Sequence, residues 1–360
     1  MARGLKILAL VTDAYGGYGG IAQYNRDLFG ALELSERVDS VHVLPRAGCA
    51  GAPSPKIASH APRRSRSSYS VQALALTAGA RFDLVFCGHL FHTPLAAMIC
   101  RLTGARLWLQ AHGVEVWARP GRLIRAAVAR ADLITAVSRY TRRRLLAWAN
   151  IDPARMRVLA NCVRPMFSPG RPDEALLQRY GLGSAKLILT VSRLETADAY
   201  KGHYRVLEAL PTILRAEPAA LFAIVGDGGG RAALEARVRA LGLQRAVRFL
   251  GRVDDAELLA LYRSADLFLM PSAKEGFGIV FLEAAACGLP VIAGRGDGSV
   301  DALVDGALGT LVNPNSSAEI AAAALAALRT PKPPDPEAIA RFGFANFSAH
   351  VHAILGTLAH

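Results

Sequence analysis

The amino-acid sequence predicts an α/β protein with two Rossmann-like domains in tandem and a cleft between them. Short β-rich apolar runs alternate with helix-length segments along the chain, a pattern typical of parallel sheets that are covered on both faces. A Pro- and Gly-rich stretch at residues 164–185 interrupts this alternation, which restarts after it. The length of 360 residues, of which 52% are hydrophobic, is sufficient for two domains with sizeable cores.

The same alternation predicts strands in both halves of the chain. In the first half they are KILALVT, SVHVLPR, DLVFCGH, RLWLQAHG, DLITAVS and MRVLANCV; in the second they are KLILTVSRL, ALFAIVGDG, AVRFLGRV, ADLFLMPS, PVIAG and GTLV. We interpret residues 6–12 as a first buried strand and not as a signal peptide, because a polar Gly-rich loop follows them without a small-residue cleavage site. We expect domains at residues 1–165 and 166–344, with 164–185 as an interdomain linker.

The positive charge of the chain is concentrated in its first half. The formal net charge is +13; residues 1–165 hold 23 Lys and Arg against 9 Asp and Glu, whereas the remaining residues hold 19 against 20. Such asymmetry indicates that the first half meets something anionic, for which nucleic acid, an anionic bilayer surface and a phosphorylated acceptor are the alternatives. The five cysteines are scattered and form no C-x-x-C pair, so neither a disulfide framework nor a zinc site is expected. A reducing cytoplasm fits this pattern.

The stretch KEGFGIVFLEAAACGLP carries the strongest indication of chemistry. It predicts a turn followed by a helix that Gly288 ends, and the first N–H groups of that helix form an anion site. These N–H groups belong to Phe277, Gly278, Ile279 and Val280. Glu283, one turn further, suits the two hydroxyls of a ribose, and Glu275 points across the phosphates. Either glutamate alone is more often a solvated or helix-dipole acid, but together they predict a nucleotide-sugar site.

This stretch resembles the E-x7-E segment of the retaining GT-B glycosyltransferases of family 4. The resemblance extends over nearly the whole chain, since DAYGGYGGIAQYNRDL, QAHGVEVW, TVSRLETADAYKGH and FLGRVDDAELLALYRSADLFLMPS are similar to the family's other segments and come in its order. One departure is the insertion ETADAY between Arg193 and Lys201. The family's fold implies two Rossmann-like domains with an interdomain cleft and a final helix, here at about residues 345–360, that packs back on the first domain.

The resemblance also implies a role for individual residues. Gly19 and Gly20 would approach the donor diphosphate or the acceptor, and Arg193 and Lys201 would bind the diphosphate. His112 would lie beside the transferred sugar, and Glu275 would contact the sugar hydroxyls. Arg252 and Val253 would contact the nucleobase, and Glu283 would bind the ribose. His112, Arg193, Lys201 and Glu275 form the predicted catalytic group. No D-x-D motif is present to hold a metal, so a metal-independent enzyme without a cofactor is expected.

Other functions fit the sequence less well. The segment Gly17-x-Gly19-x-x-Ala22 matches a dinucleotide fingerprint, but the second strand ends in Arg46, where such a site needs an acid. No P-loop motif is present. A nucleotide-sugar epimerase of similar fold remains an alternative. Nucleic-acid binding is disfavoured, because the arginines are not interleaved with stacking aromatics.

The resemblance therefore implies a retaining hexosyltransferase. It would move mannose or glucose from a GDP- or UDP-sugar to a saccharide or lipid-linked saccharide, in bacterial cell-envelope or exopolysaccharide synthesis. The expected location is the cytoplasm, with a peripheral site on the inner face of the cytoplasmic membrane as an option for the basic half. No nucleic-acid partner is expected.

Overall fold

The computed structural model describes residues 3–17, 19–49, 51, 54–183 and 185–358. The chain forms two compact units, one from residues up to Cys162 together with the segment from Phe344, and the other from Val163–Gly343. Four predictions reach outside the described residues: the start of the first domain at Met1, Tyr18 in the Gly-rich loop, Ser184 in the predicted linker, and the end of the last helix at His360.

The first unit contains a seven-stranded parallel sheet with the order β3-β2-β1-β4-β5-β6-β7. Its strands are β1 (Leu5–Val11), β2 (Val38–Pro45), β3 (Ile57–Ser59), β4 (Leu84–Cys87), β5 (Arg106–Ala111), β6 (Leu133–Ala136) and β7 (Met156–Val158). Its first helices are α1 (Gly20–Glu33), α2 (Arg66–Gly79), α3 (Thr93–Thr103), α4 (Arg122–Val128) and α5 (Arg139–Leu146). The strand order reverses between β1 and β4, where loops at the carboxyl ends can form a ligand site.

The second unit contains a six-stranded parallel sheet with the order β10-β9-β8-β11-β12-β13. Its strands are β8 (Lys186–Val191), β9 (Ala220–Val225), β10 (Val247–Gly251), β11 (Leu267–Met270), β12 (Val291–Gly294) and β13 (Thr310–Val312). Its helices are α6 (Glu174–Arg179), α7 (His203–Ala216), α8 (Arg231–Ala240), α9 (Asp255–Ser264), α10 (Ile279–Ala286), α11 (Ser299–Ala302), α12 (Ser317–Arg329) and α13 (Pro336–Ala340). Its order reverses between β8 and β11.

The final helix, α14 (Phe344–Leu358), belongs to the first unit. The imidazole Nε2 of His352 lies 2.8 Å from the carbonyl oxygen of Ala31 in α1, and the ring of Phe347 packs edge-on against Tyr24. Residues far apart in sequence therefore complete one core.

The prediction of an α/β protein with two Rossmann-like domains is confirmed, and the twelve predicted strand segments all contain strands. The sequence prediction missed β3, because three residues are too few to show a periodic pattern. The structure describes residues 164–183 and Ala185 of the stretch that we predicted as an interdomain linker. This stretch contains α6, which Asp173 caps, and the ring of Phe167 packs on Tyr262 of α9. In the part of the chain that the structure describes, none of the helices combines the length and hydrophobicity of a membrane span.

Candidate nucleotide-sugar site

Two predicted catalytic residues meet at the strand reversal of the second unit. Strands β8 and β11 are parallel neighbours, so the loops that follow them leave the sheet side by side. Lys201, in the first loop, donates a hydrogen bond to the carboxylate of Glu275, in the second. Their side chains are only 14% and 10% exposed. Charges are costly to bury alone, and these two groups of opposite charge are buried in contact with each other.

The loop after β8 arranges a second cation near this pair. Arg193 Nη2 lies 3.3 Å from Asp198 Oδ2, and the Arg193 side chain is 68% exposed. The insertion ETADAY forms most of a 3₁₀ turn, Thr196–Lys201, which brings the Lys201 ammonium 5.4 Å from the centre of the Tyr200 ring. Burial, reinforced by Asp198, raises the pKa of the Tyr200 hydroxyl. The insertion therefore leads the chain to Lys201, which contacts Glu275. It also places Asp198 beside Arg193 and Tyr200 beside Lys201.

Main-chain contacts join the loops after β8 and β11. The N–H of Ala273 donates to the carbonyl of Tyr200 at 2.9 Å. Gly202 has a φ of +89°, and a Cβ atom there would lie 2.4 Å from the carbonyl oxygen of Pro271. Only glycine tolerates both the conformation and the close approach. Gly202 thus lets the Lys201 loop pack directly on the strand that leads to Glu275.

The loop after β12 holds the main chain of Glu275. The N–H of Glu275 donates to Asp297 Oδ2 at 2.7 Å, and the carbonyl of Glu275 accepts from the N–H of Gly298 at 2.8 Å. Asp297 also accepts from the N–H of Ser299 at 2.9 Å. Burial raises the pKa of the Asp297 carboxyl to about 6. Our sequence prediction missed Asp297, which lies three residues after β12 and directly before Gly298 and Ser299.

The turn before α10 places main-chain groups in the site. Phe277 is buried, and its ring packs on Phe342 at a centroid distance of 5.8 Å. Gly278 has a φ of +86°, and Ile279 and Val280 begin the helix. Their N–H groups have no partner within the helix and can bind an anion. The side chain of Phe277 thus packs in the core, whereas its main chain belongs to the turn that can bind an anion.

Glu283 lies buried one turn inside α10. The hydroxyl of Tyr262 donates to Glu283 Oε2 at 3.1 Å, and Arg164 Nη2 lies 4.0 Å from Oε1. Burial, reinforced by the Glu283 charge, raises the pKa of Tyr262 well above its usual value, so the phenol stays a donor. Neither Tyr262 nor Arg164 was predicted, because both lie far from Glu283 in sequence.

Arg252 and Val253 lie apart from this group. They directly follow β10, which is the edge strand two places from β8. Arg252 is exposed and Val253 is half-buried. The two residues share the carboxyl edge of the sheet with Lys201 and Glu275, but they do not adjoin the strand reversal.

The first unit has its own group of predicted residues. Gly19 is exposed with a φ of +96°, and Gly20 is the first residue of α1. Arg26 of α1 donates to the carbonyls of Ala14 at 2.6 Å and Gly17 at 3.2 Å. These bonds fix the loop after β1 on the helix that it precedes.

His112 directly follows β5, and its protonation state is fixed. Its Nε2 lies 3.0 Å from the carbonyl oxygen of Gly88, and its main-chain N–H donates to Glu115. Because a carbonyl can only accept, Nε2 carries the proton and Nδ1 is an acceptor. Burial, followed by the nearby His89, lowers the pKa of His112 to about 3. The imidazole is therefore neutral near pH 7 and offers one acceptor nitrogen.

Comparison with known proteins assigns the chain to a family. Residues 18–167 match the model described as Glycosyltransferase Family 4, and residues 174–343 match Glycosyl transferases group 1. A relative from Mycobacterium tuberculosis H37Rv is called GDP-mannose-dependent alpha-(1-6)-phosphatidylinositol monomannoside mannosyltransferase. It is 33% identical over 273 residues, which cover 70% of this chain and 68% of that protein. The chain belongs to the GT-B glycosyltransferases of family 4.

Two further comparisons extend this result. The Mycolicibacterium smegmatis protein of the same name is 35% identical to the glycosyltransferase over 235 residues, which span 61% of each chain. The crystal structure of Anabaena Alr3699/HepE in complex with UDP and glucose has a TM-score of 0.77 to the glycosyltransferase at 21% identity, and the match covers 98% of this chain and 100% of that one. At this identity the likeness concerns the fold. The predicted family is confirmed, whereas retention of configuration and the roles of the two glutamates remain predictions.

Proposed function

We propose that this glycosyltransferase transfers a hexosyl group, with retention of configuration, from a nucleotide-diphosphate sugar to a saccharide or lipid-linked saccharide. The observation that carries the proposal is the buried Lys201–Glu275 pair beside the start of α10. A cation and the first N–H groups of a helix suit a diphosphate, while a carboxylate next to them suits sugar hydroxyls. GDP-mannose is the proposed donor, because two relatives are named GDP-mannose-dependent mannosyltransferases. Bacterial envelope or exopolysaccharide synthesis is the proposed setting.

The proposed reaction exchanges one bond at the anomeric carbon. The bond to the diphosphate oxygen breaks, the acceptor oxygen bonds from the same face, and the acceptor proton passes to the leaving phosphate. Lys201, Arg193 and the N–H groups of Ile279 and Val280 would stabilise the negative charge on the leaving group. No metal or cofactor is included in this proposal, and activity that persists in a chelator would support that.

The remaining predicted residues would bind the substrate. Glu283 would accept hydrogen bonds from the ribose, with Tyr262 holding one of its oxygens. Nδ1 of His112 would accept a hydrogen bond from a hydroxyl of the transferred sugar. The N-terminus of α1 at Gly19 and Gly20 would face a phosphate of the donor or the acceptor. Arg252 and Val253 would contact the base.

We also propose that the first unit binds an anionic bilayer, on the inner face of the cytoplasmic membrane. Apolar side chains are exposed on α3, on the turn before it, and on the neighbouring α4. They are Phe91, Met98, Leu102 and Leu123, with exposures of 67%, 42%, 71% and 72%. Residues 88–131 contain six arginines and one acid, and Arg101, Arg119 and Arg122 are exposed. Apolar groups among arginines match the chemistry of an anionic lipid surface. No nucleic-acid partner is proposed.

A panel of nucleotide sugars tests the proposed donor. We expect GDP-mannose to raise the thermal unfolding temperature more than UDP-glucose does, because a ligand that binds only the folded state stabilises it. Mass spectrometry would then follow transfer to a mannosylated lipid acceptor. If incubation with the donor alone isomerised its sugar, the epimerase alternative would replace the transferase proposal.

A further inference from the structure

We propose that Asp297 is a positioning residue, which fixes the main chain of Glu275 and so aligns the Glu275 carboxylate with Lys201 for reaction. The inference rests on the proposed function, because it takes Glu275 to contact the donor sugar. It adds a residue that the E-x7-E pattern does not contain.

The contacts of Asp297 are directed at the Glu275 loop. Both of its carboxylate oxygens accept from main-chain N–H groups, Oδ2 from Glu275 at 2.7 Å and Oδ1 from Ser299 at 2.9 Å. The Asp297 residue is 2% exposed. Because an ionised carboxylate accepts on both oxygens, it joins the start of α11 to the loop after β11 through a single side chain. Glu275 cannot shift its N–H without breaking this link.

The two loops also approach each other too closely for independent movement. A Cβ atom on Gly298 would lie 2.0 Å from the carbonyl oxygen of Gly276, and one on Gly294 would lie 1.8 Å from that of Ser272. The Gly298 N–H donates to the carbonyl of Glu275 at 2.8 Å. Glu275 is thus held at both its N–H and its carbonyl by one loop. The remaining freedom of Glu275 is the rotation of its side chain, which the ion pair with Lys201 limits.

The chemistry of this link depends on the ionised form of Asp297. Glu275 is the charged group that faces it, and Ser272 and Ser299 are its neutral neighbours. Burial raises the pKa of Asp297 to about 6, and the negative charge of Glu275 adds to this rise. When pH falls below 6 the carboxyl gains a proton, and the neutral acid is a weaker acceptor for the N–H of Glu275 than the carboxylate is. Glu275 should therefore be released in mild acid.

The test compares Asp297→Asn with Asp305→Asn, which removes the same charge from an exposed acid on the following turn. An asparagine can accept on only one side, so one N–H loses its partner. We expect the turnover of Asp297→Asn to fall about 10- to 100-fold, as for a small displacement of a reacting group. We expect the KM for the donor to change much less, and the acid limb of the wild-type kcat profile near pH 6 to disappear. Asp305→Asn should resemble the wild type in each measurement.

Hydrogen–deuterium exchange of the full-length protein separates the contact from the chemistry. The segment 271–278 should exchange faster in Asp297→Asn than in the wild type or in Asp305→Asn, whether or not the protein transfers a sugar. If wild-type protein showed no transfer, the proposed function would fail while this measurement still tested the link. Unchanged exchange, or unchanged kcat and an unchanged acid limb, would overturn the positioning role. Should Asp297→Asn fail to fold, Ser299→Ala removes the hydrogen bond from the Ser299 hydroxyl to Asp297 and keeps the main-chain N–H. We expect this variant to give a smaller change in the same direction, and no change would count equally against the proposal.

Discussion

Lys201 and Glu275 are separated by 74 residues in the sequence, yet they form a buried ion pair at the adjoining ends of β8 and β11. We expect Lys201→Ala to reduce turnover by about 10²- to 10³-fold, as for the loss of one group that stabilises a developing negative charge. Donor affinity should fall much less, because Arg193 and the N–H groups of α10 remain. Steady-state kinetics and calorimetry with the nucleotide measure the two effects. Lys186→Ala, which removes a half-exposed lysine paired with Asp266, is the control.

Arg193 tests the same mechanism from an exposed position. We expect Arg193→Ala to lower kcat more than it lowers nucleotide affinity, because the leaving diphosphate gains charge only as the bond breaks. Arg193→Lys should recover part of the rate, since it restores the charge but not the planar guanidinium. Near-normal turnover in Arg193→Ala, or an effect confined to KM, would show that Arg193 is a binding or surface charge.

Glu283 is predicted to bind the ribose while Tyr262 holds its other oxygen. Glu283→Ala should weaken the bare nucleotide diphosphate by about 1.5 to 3 kcal/mol, the cost of hydrogen bonds to a charged group. Tyr262→Phe removes the supporting hydroxyl alone, so its effect on affinity should be smaller. Calorimetry on both variants and their combination gives the coupling between the two residues. Unchanged affinity of Glu283→Ala for the bare nucleotide would refute the ribose assignment.

The neutral state of His112 predicts a dependence of stability on pH. The pKa of His112 is about 3 in the folded protein and about 6.5 for an unperturbed histidine. Between these values the unfolded chain binds a proton that the folded chain does not, so this contribution to stability is lost as pH falls from 6.5 to 3. His112→Asn should therefore show a shallower fall in the free energy of unfolding over this range. His350→Asn, which changes an exposed histidine, should keep the wild-type slope.

Vesicle co-sedimentation tests the proposed membrane surface. The double variant Leu102→Ser and Leu123→Ser should bind anionic vesicles less well than the wild type, because it removes two exposed apolar groups. Leu34→Ser changes a leucine at the end of α1 that is 64% exposed, and this variant should bind normally. Rising salt should weaken wild-type binding. Equal binding of the wild type to neutral and anionic vesicles at low salt would disprove the role of the arginines.

The sequence predicted those features that depend on neighbouring residues. Buried parallel strands such as LVFC give continuous apolar runs, and the start of α10 follows from a Gly-rich turn before an apolar helix. Contacts between loops that are distant in the sequence could not be predicted in this way. Asp297 meets Glu275 only because β11 and β12 are neighbours in the sheet, and Tyr262 meets Glu283 through the packing of α9. The insertion ETADAY was visible in the sequence, but its 3₁₀ turn and the hydrogen bond from Ala273 to the carbonyl of Tyr200 were not.

The position of α14 has a consequence for biosynthesis. The core of the first unit includes Phe347 against Tyr24, and its helix α1 carries the hydrogen bond from His352. The ribosome makes α14 after the whole second unit, so the first unit stays incomplete while the second is being synthesised. Domains generally fold as units in the order in which they emerge. Here the unit that begins first is completed last, and until α14 is made the residues of α1 that pack against it lack their cover.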